Sequence, residues 1–252
     1  MRFFLNSARS GDIRAAALLP YVGGVTVQQG ALADRGATPA AVIEAVVASG
    51  RRDWKLFFQM SEGTAHEVVD QAVGLDARMA ERTGGPLSGP TLVCMLKPLP
   101  ESLFAASVLV ARGIEVCISS VSDPVQALAV STFPHVQEWR DGIPCTEGPP
   151  ASRNPGFPHS IACMVGRLDD AGGDGVAVVA RIAALYAAYG IRPRVLAADV
   201  RSLDVLQRLT NAVGTGGGLV DVTLPFEVLS HLLDALAPPA IQVTPEARRD
   251  EP

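Results

Sequence analysis

Lys97 is the residue of this chain best suited to covalent chemistry. The chain has 21 lysine and arginine residues, of which only Lys55 and Lys97 are lysines. Lys97 ends an apolar run that starts at Thr91, and Pro98 follows it. Burial in such surroundings lowers the proton affinity of an amine, and a neutral amine can form a Schiff base with a carbonyl compound. The alternative is a strand-end lysine whose amine reaches water.

Metal and redox chemistry are not indicated by the pattern of histidines and cysteines. The histidines are scattered and form no H-E-x-x-H or comparable spacing. No C-x-x-C occurs among the cysteines, which are Cys94, Cys117, Cys145 and Cys163. Three of them lie in apolar runs and are interpreted as small core residues. We expect no metal site and no cofactor.

Composition and charge exclude several classes of partner. The net charge is −5 and no basic stripe interleaves with aromatic residues, which argues against nucleic acid. No apolar stretch approaches the roughly 18 residues of a membrane span. The opening residues 1–6 turn polar too early for a signal peptide. We expect a cytoplasmic protein that does not bind membranes.

Eight short apolar runs alternate with helical patterns along the chain. The predicted strands are 2–6, 24–28, 55–60, 92–97, 114–119, 160–165, 194–199 and 219–224. Most are continuous apolar runs, which is typical of buried parallel strands. A capping-box pattern from Thr64 to Glu67 marks one of the intervening helices. This alternation over 252 residues predicts an α/β protein with a single (β/α)8 TIM barrel rather than a doubly wound sheet.

Stretches rich in proline and glycine interrupt this alternation of strands and helices. Residues 82–90 form one connection, and 133–158 form an insertion before the sixth predicted strand. The insertion is either a lid or a disordered excursion, and in a simple barrel it lies at the end away from the chemistry. We expect the barrel to span 1–237 and a flexible tail to span 238–252.

Polar residues follow the carboxyl ends of the predicted strands, where barrel enzymes place their active sites. They are Asn6, Thr26, Gln28, Gln59, Lys97, Ser119, Arg167, Asp199 and Arg201. Amide and hydroxyl groups of this kind bind carbonyl and hydroxyl oxygens, and the two arginines suit an anion.

Several stretches of the chain share a family pattern in their order and spacing. They are FFLNSA at 3–8, GVTVQ at 24–28, FFQ at 57–59, GIEVCIS at 113–119, DPVQAL at 123–128, VGRLDDAGGDG at 165–175 and VLAADVR at 195–201. Together they cover nearly all of residues 1–236. In these stretches the chain resembles the transaldolase family, especially its short fructose-6-phosphate-aldolase-like branch. The resemblance implies a (β/α)8 barrel that forms a Schiff base between a fourth-strand lysine and a ketose.

The family lysine aligns without gaps with Met95, and Lys97 comes two residues later. Side chains alternate along a strand, so both positions are expected to face the barrel mouth. Two residues displace the side chain by about 6.6 Å, which is roughly the reach of a lysine. We therefore expect the amine of Lys97 to lean back toward the usual location.

Other positions implied by the resemblance have changed as well. The first-strand aspartate is Asn6, which can orient a hydroxyl group but cannot carry a proton. The second-strand asparagine is Gln28, and the fifth-strand N-x-T becomes Cys117 and Ser119. The sixth-strand aromatic residue is Met164.

Asp199 replaces the serine of the family's phosphate-binding S-x-R motif, beside the retained Arg201. A carboxylate there repels a phosphate dianion unless Arg167 and Arg201 neutralise it. Asp199 therefore either pairs with an arginine and removes the phosphate site, or binds an ammonium or hydroxyl group of a different substrate.

Three functions remain open from the sequence. The first is a divergent Schiff-base aldolase or transaldolase of specialised metabolism, acting on a sugar-like or sugar-phosphate-like small molecule. In it Lys97 is the amine, Gln59 or Ser119 handles the catalytic water, and Arg167 and Arg201 hold the distal end of the substrate. The second is a barrel that has lost the Schiff base and runs another lyase-type reaction. The third is a non-catalytic binding or partner subunit. A homodimer is expected.

Overall fold

The structure, a computed structural model, describes residues 1–85, 88–131, 158–214 and 219–232. Residues 133–157 of the predicted insertion and the whole predicted tail at 238–252 lie outside these ranges, as do His135 and Cys145. The boundaries of the barrel, insertion and tail therefore remain predictions.

The strands of the described chain form a closed parallel barrel in sequence order. They are β1 (Phe3–Asn6), β2 (Val22–Val27), β3 (Lys55–Gln59), β4 (Thr91–Leu96), β5 (Glu115–Ile118), β6 (Ser160–Met164), β7 (Arg194–Ala198) and β8 (Val220–Leu224). β1 pairs with both β2 and β8, which closes the barrel. The predicted (β/α)8 architecture is confirmed.

Helices connect the strands and pack around the outside of the barrel. They are α1 (Ser10–Ala16), α2 (Gln29–Arg35), α3 (Pro39–Ala48), α4 (Ala65–Thr83), α5 (Pro100–Ala111), α6 (Pro124–Ser131), α7 (Val165–Asp170), α8 (Gly175–Tyr189), α9 (Leu203–Val213) and α10 (Phe226–Ser230). The capping box at α4 forms as predicted, because Thr64 and Glu67 satisfy each other's backbone N–H groups. None of the described helices combines the length and apolar character that crossing a bilayer requires.

Apolar side chains fill the interior of the barrel. They form a cluster of Phe4, Phe57, Val93, Met95, Cys117, Ala162 and Leu196. Phe4 and Phe57 meet edge to face, with ring centroids 5.1 Å apart. Burial raises the pKa of Cys117 to about 12 and that of Cys163 to about 12, so both stay protonated thiols at neutral pH. The interior is thus a packed core in which Cys117 is a small apolar residue, and Cys163 has the same role in the larger core cluster of the protein.

A buried carboxylate pairs with two arginines at the amino end of the barrel. The Asp221 side chain, 3% exposed, accepts hydrogen bonds from Arg2 Nη2 at 2.7 Å and from Arg194 Nε at 2.6 Å. Burial by itself would raise the pKa of Asp221, but the hydrogen bonds from Arg194 and Arg2 outweigh it and hold the pKa below its ordinary value. Lys55 lies at the same end and pairs with Glu115 at 2.5 Å.

We expect Asp221→Asn to lower the free energy of unfolding by about 3 kcal/mol at pH 7, because it leaves two arginines without their carboxylate. Since the folded pKa of Asp221 lies below the ordinary 3.8, the carboxylate stabilises the fold fully above that pH. The contribution is lost as pH falls through the folded pKa. Urea unfolding of both proteins at neutral and acidic pH should show that the difference in their free energies of unfolding becomes smaller in acid.

Asp53→Asn, which breaks the more exposed pair with Arg51, is the control and should lower the free energy of unfolding by at most about 1 kcal/mol. Equal stability of Asp221→Asn and wild type at pH 7 would contradict this account.

Candidate functional site

A small cavity opens at the carboxyl end of the barrel. Its lining residues are Thr26, Gln28, Gln59, Met95, Ser119, Ser120, Ala162, Met164, Arg167, Leu196, Ala198 and Thr223. The centre of a water molecule can move through about 20 Å³ of it, which is room for about one water. A substrate must therefore displace side chains at the mouth when it enters.

The structure brings together many of the side chains predicted from the strand ends. Those found in the lining are Thr26, Gln28, Gln59, Met95, Ser119, Met164 and Arg167. Asn6, Lys97, Asp199 and Arg201 are not in the lining. Ser120 and Thr223 also line the cavity but were not predicted. Two signals could have indicated them: Ser120 directly follows Ser119, and Thr223 is the next-to-last residue of the eighth predicted strand.

Hydrogen bonds fix several polar groups of the cavity. The Thr26 hydroxyl donates to the Leu5 carbonyl at 3.2 Å, and the Ser119 hydroxyl donates to the Leu96 carbonyl at 3.1 Å. Each of these hydrogen bonds links the ends of neighbouring strands and leaves the hydroxyl oxygen able to accept a hydrogen bond from a ligand. The Gln59 Oε1 atom accepts the backbone N–H of Gln29 at 3.1 Å, at the start of α2.

Arg167 reaches across the mouth from α7 to β2. Its Nη2 atom donates to Oε1 of Gln28 at 3.1 Å, and Gln28 is the residue that follows β2. Arg167 is also the only ionisable side chain among the described lining residues. The lining by itself can therefore bind hydroxyl and carbonyl groups, but it offers no proton acceptor that works near neutral pH.

Lys97 lies at the rim and not in the cavity, so the prediction that its amine leans inward is wrong. Its side chain is 42% exposed, and Nζ pairs with Glu62 in the connection between β3 and α4. β4 ends at Leu96, and the N–H of Leu99 bonds to the carbonyl of Lys97 at 2.8 Å. This tight turn around Pro98 ends the strand alternation that would have carried Lys97 inward. Met95, 5% exposed, lines the cavity instead.

Asp199 and Arg201 form an ion pair beside the mouth. The Asp199 carboxylate accepts from Arg201 Nη2 at 2.7 Å, which is the first of the two roles left open by the sequence. Asp170 holds the other side of the same guanidinium at 2.9 Å. The prediction that Arg201 holds the distal end of a substrate conflicts with this pairing, because its donors already bind carboxylates of the chain.

No group of histidine, cysteine, aspartate and glutamate residues that could hold a metal ion is found within the part of the chain that the structure describes. The candidate site contains hydrogen-bonding groups, Arg167 and, at its rim, the pair of Lys97 and Glu62.

No family model matches the chain, but curated relatives align with it almost from end to end. A "Probable transaldolase" of Moorella thermoacetica is 28% identical over 234 residues, covering 92% of this chain and 90% of the relative. Another, from Geotalea daltonii, is 27% identical and covers the same shares of the two chains. The chain is thus similar to probable transaldolases along almost its whole length. The resemblance predicted from the motifs is thereby confirmed.

Solved structures with little sequence similarity share the barrel of this protein. Haloferax volcanii malate synthase superimposes with a TM-score of 0.56 at 13% identity, covering 95% of this chain and 73% of that one. N-acetylneuraminate lyase from Mycoplasma synoviae gives a TM-score of 0.50 at 9% identity, covering 92% of this chain and 74% of the lyase. At such identities the similarity shows the fold alone.

Proposed function

We propose that this protein is an aldolase-like enzyme that makes or breaks a carbon–carbon bond in a small hydroxylated carbonyl compound, with Lys97 as its Schiff-base amine. The observation that carries the proposal is the number and position of the lysine side chains. The chain has two lysines, and Glu115 holds Lys55 at the amino end. Lys97 is the amine that the chain can bring to the mouth.

Little free energy holds Lys97 in its rim position. Lys97 and Glu62 are 42% and 59% exposed, and exposed ion pairs contribute at most about 1 kcal/mol. Opening the pair therefore costs about a factor of five in population. A lysine side chain has four rotatable carbon–carbon bonds with which to turn toward the cavity once Glu62 releases it.

In the proposed reaction the amine of Lys97 attacks the carbonyl carbon of the substrate, and the carbonyl oxygen leaves as water. The resulting iminium accepts the electron pair of the bond between the α and β carbons of the substrate as that bond breaks, while the β-hydroxyl proton passes to the bound water and the β carbon leaves as an aldehyde. Protonation of the resulting enamine and addition of water to the iminium then release the second product and restore the amine, and the reverse sequence forms the bond. Ser119 and Gln59 are proposed to bind the water, and Asn6 to orient a substrate hydroxyl group.

The remaining lining residues are proposed to position the substrate. Thr26, Gln28 and Arg167 would bind its hydroxyl groups, while Met95 and Met164 form apolar walls. Action in the cytoplasm, a role in specialised metabolism and a homodimer complete the proposal. Light scattering on purified protein tests the dimer.

Borohydride reduction in the presence of dihydroxyacetone tests the Schiff base. We expect a stable adduct that mass spectrometry locates on Lys97, and we expect Lys97→Met to abolish it. Lys55→Met is the matched control and should be labelled like wild type. Failure to label Lys97 in a folded protein would contradict the proposal.

A second function is favoured by one specific observation. Met95 lines the cavity where the resemblance places the family amine, and the described lining contains no nucleophilic amine. This arrangement suits a non-catalytic protein that binds a small hydroxylated compound. Calorimetric titration with sugars distinguishes the two, because binding without labelling or turnover supports the second function.

A further inference from the structure

Two carboxylates of the chain occupy the guanidinium group of Arg201. Asp199 accepts from Nε at 3.1 Å and from Nη2 at 2.7 Å. Asp170 accepts from Nη1 at 3.0 Å and from Nη2 at 2.9 Å. All three guanidinium nitrogens therefore donate to carboxylates of the same chain. Bidentate pairs of this kind are the strong form of the arginine–carboxylate contact.

The backbone holds Asp199 in place for this contact. Asp199 has a φ of +60°, a conformation that aspartate and asparagine adopt more readily than most residues. Its N–H donates to the Thr223 hydroxyl at 3.2 Å, and its carbonyl accepts the N–H of Gly166 at 3.2 Å. A Cβ atom at Gly166 would lie 2.6 Å from Asp199 Oδ2 and 2.7 Å from Arg201 Nε. Glycine at position 166 thus leaves the space that the ion pair fills.

The charges beside the mouth balance without a ligand. Arg167 and Arg201 carry two positive charges, and Asp170 and Asp199 carry two negative ones. Asp199 is 18% exposed, so its charge is screened less by water than that of a fully exposed carboxylate. A phosphate dianion at this position would meet Asp199 directly and would have to take Arg201 from two existing partners.

We infer that the substrate carries no phosphate at the end that faces β6 and β7, and that Asp199 excludes phosphorylated compounds from this site. The inference names the substrate class of the proposed reaction and so rests on that proposal for its chemistry. The hydroxyl of Thr223 and the amide of Gln28, both in the lining, are instead suited to an uncharged hydroxylated end.

Inorganic phosphate is the probe that tests the exclusion. We expect no binding of millimolar phosphate to wild type by calorimetry at low salt. Asp199→Asn keeps the backbone conformation and removes one negative charge, and we expect it to bind phosphate at least about tenfold more tightly. Asp70→Asn on α4 makes the same change of charge at an exposed residue outside the lining and should behave like wild type. Adding Arg201→Met to Asp199→Asn should remove the gain, which places the phosphate at Arg201.

The inference would be overturned if wild type bound phosphate as tightly as Asp199→Asn does, or if a folded Asp199→Asn protein gained no affinity. Neither depends on Lys97, because Lys97→Met is expected to leave phosphate binding unchanged. The proposed reaction can therefore fail while this inference holds, and the reverse. Where labelling of Lys97 succeeds, wild type should label with dihydroxyacetone and not with its phosphate. Equal labelling by both compounds would also overturn the inference.

Discussion

Gly24→Ala is expected to leave the protein largely unfolded at room temperature, with a loss of more than about 4 kcal/mol in the free energy of unfolding. Gly24 lies in β2 with a φ of +147°, where residues with a Cβ atom are strained. An added Cβ would lie 2.0 Å from the carbonyl oxygen of Lys55 and 2.7 Å from its nitrogen. These are backbone atoms of β3, so relief requires the two strands to move apart.

Gly74→Ala is the matched control for this substitution. Gly74 lies inside α4, and no heavy atom stands within 4 Å of a Cβ built there. Alanine is the better helix former by about 0.5–1 kcal/mol, so this variant should be slightly more stable than wild type. Circular dichroism and urea unfolding of both variants provide the comparison. A Gly24→Ala protein as stable as wild type would show that β2 and β3 do not approach as closely as described.

Moving the lysine from position 97 to position 95 is expected to have a large effect on the rate of Schiff-base labelling. In the double variant Met95→Lys with Lys97→Met, the lysine side chain enters the cavity that Met95 now lines. Its surroundings are the apolar interior of the barrel, and burial there lowers the pKa of an amine. At neutral pH a larger fraction is then neutral and able to attack a carbonyl group. We expect borohydride labelling by dihydroxyacetone to be at least about tenfold faster than at Lys97 of wild type.

The pH dependence gives a second measurement on the same variant. Because burial lowers the pKa of an amine, the labelling rate of the double variant should reach its plateau at a lower pH than that of an exposed amine. Lys97→Met alone is the baseline and should not label. A folded double variant without label would contradict the expectation that the cavity holds a carbonyl compound beside position 95.

The polar residues at the carboxyl ends of the strands show what local sequence patterns can predict. Thr26, Gln59 and Ser119, which were proposed from the strand ends, lie in the lining, because continuous apolar runs with intervening helix signals locate the strand ends. In a closed parallel barrel all carboxyl ends meet at one mouth. Local patterns were sufficient there, since strand direction and alternation depend on short stretches of chain.

Lys97 and Asp199 show where local patterns were insufficient. Alternation predicted an inward Lys97, but β4 ends at Leu96 and the turn at Pro98 redirects the chain toward Glu62. For Asp199 the sequence left two roles open, because its charge alone does not identify its partner.

The sequence by itself determined the barrel, its strand order and most of the lining, because each follows from periodicity and motif order along the chain. Only the tertiary structure decided which charges meet. Asp170 follows β6 and Arg201 follows β7, and they contact each other because the two strands pair in parallel. Ion pairs depend on distances of a few ångströms between residues far apart in sequence, and those distances exist only once the barrel has closed.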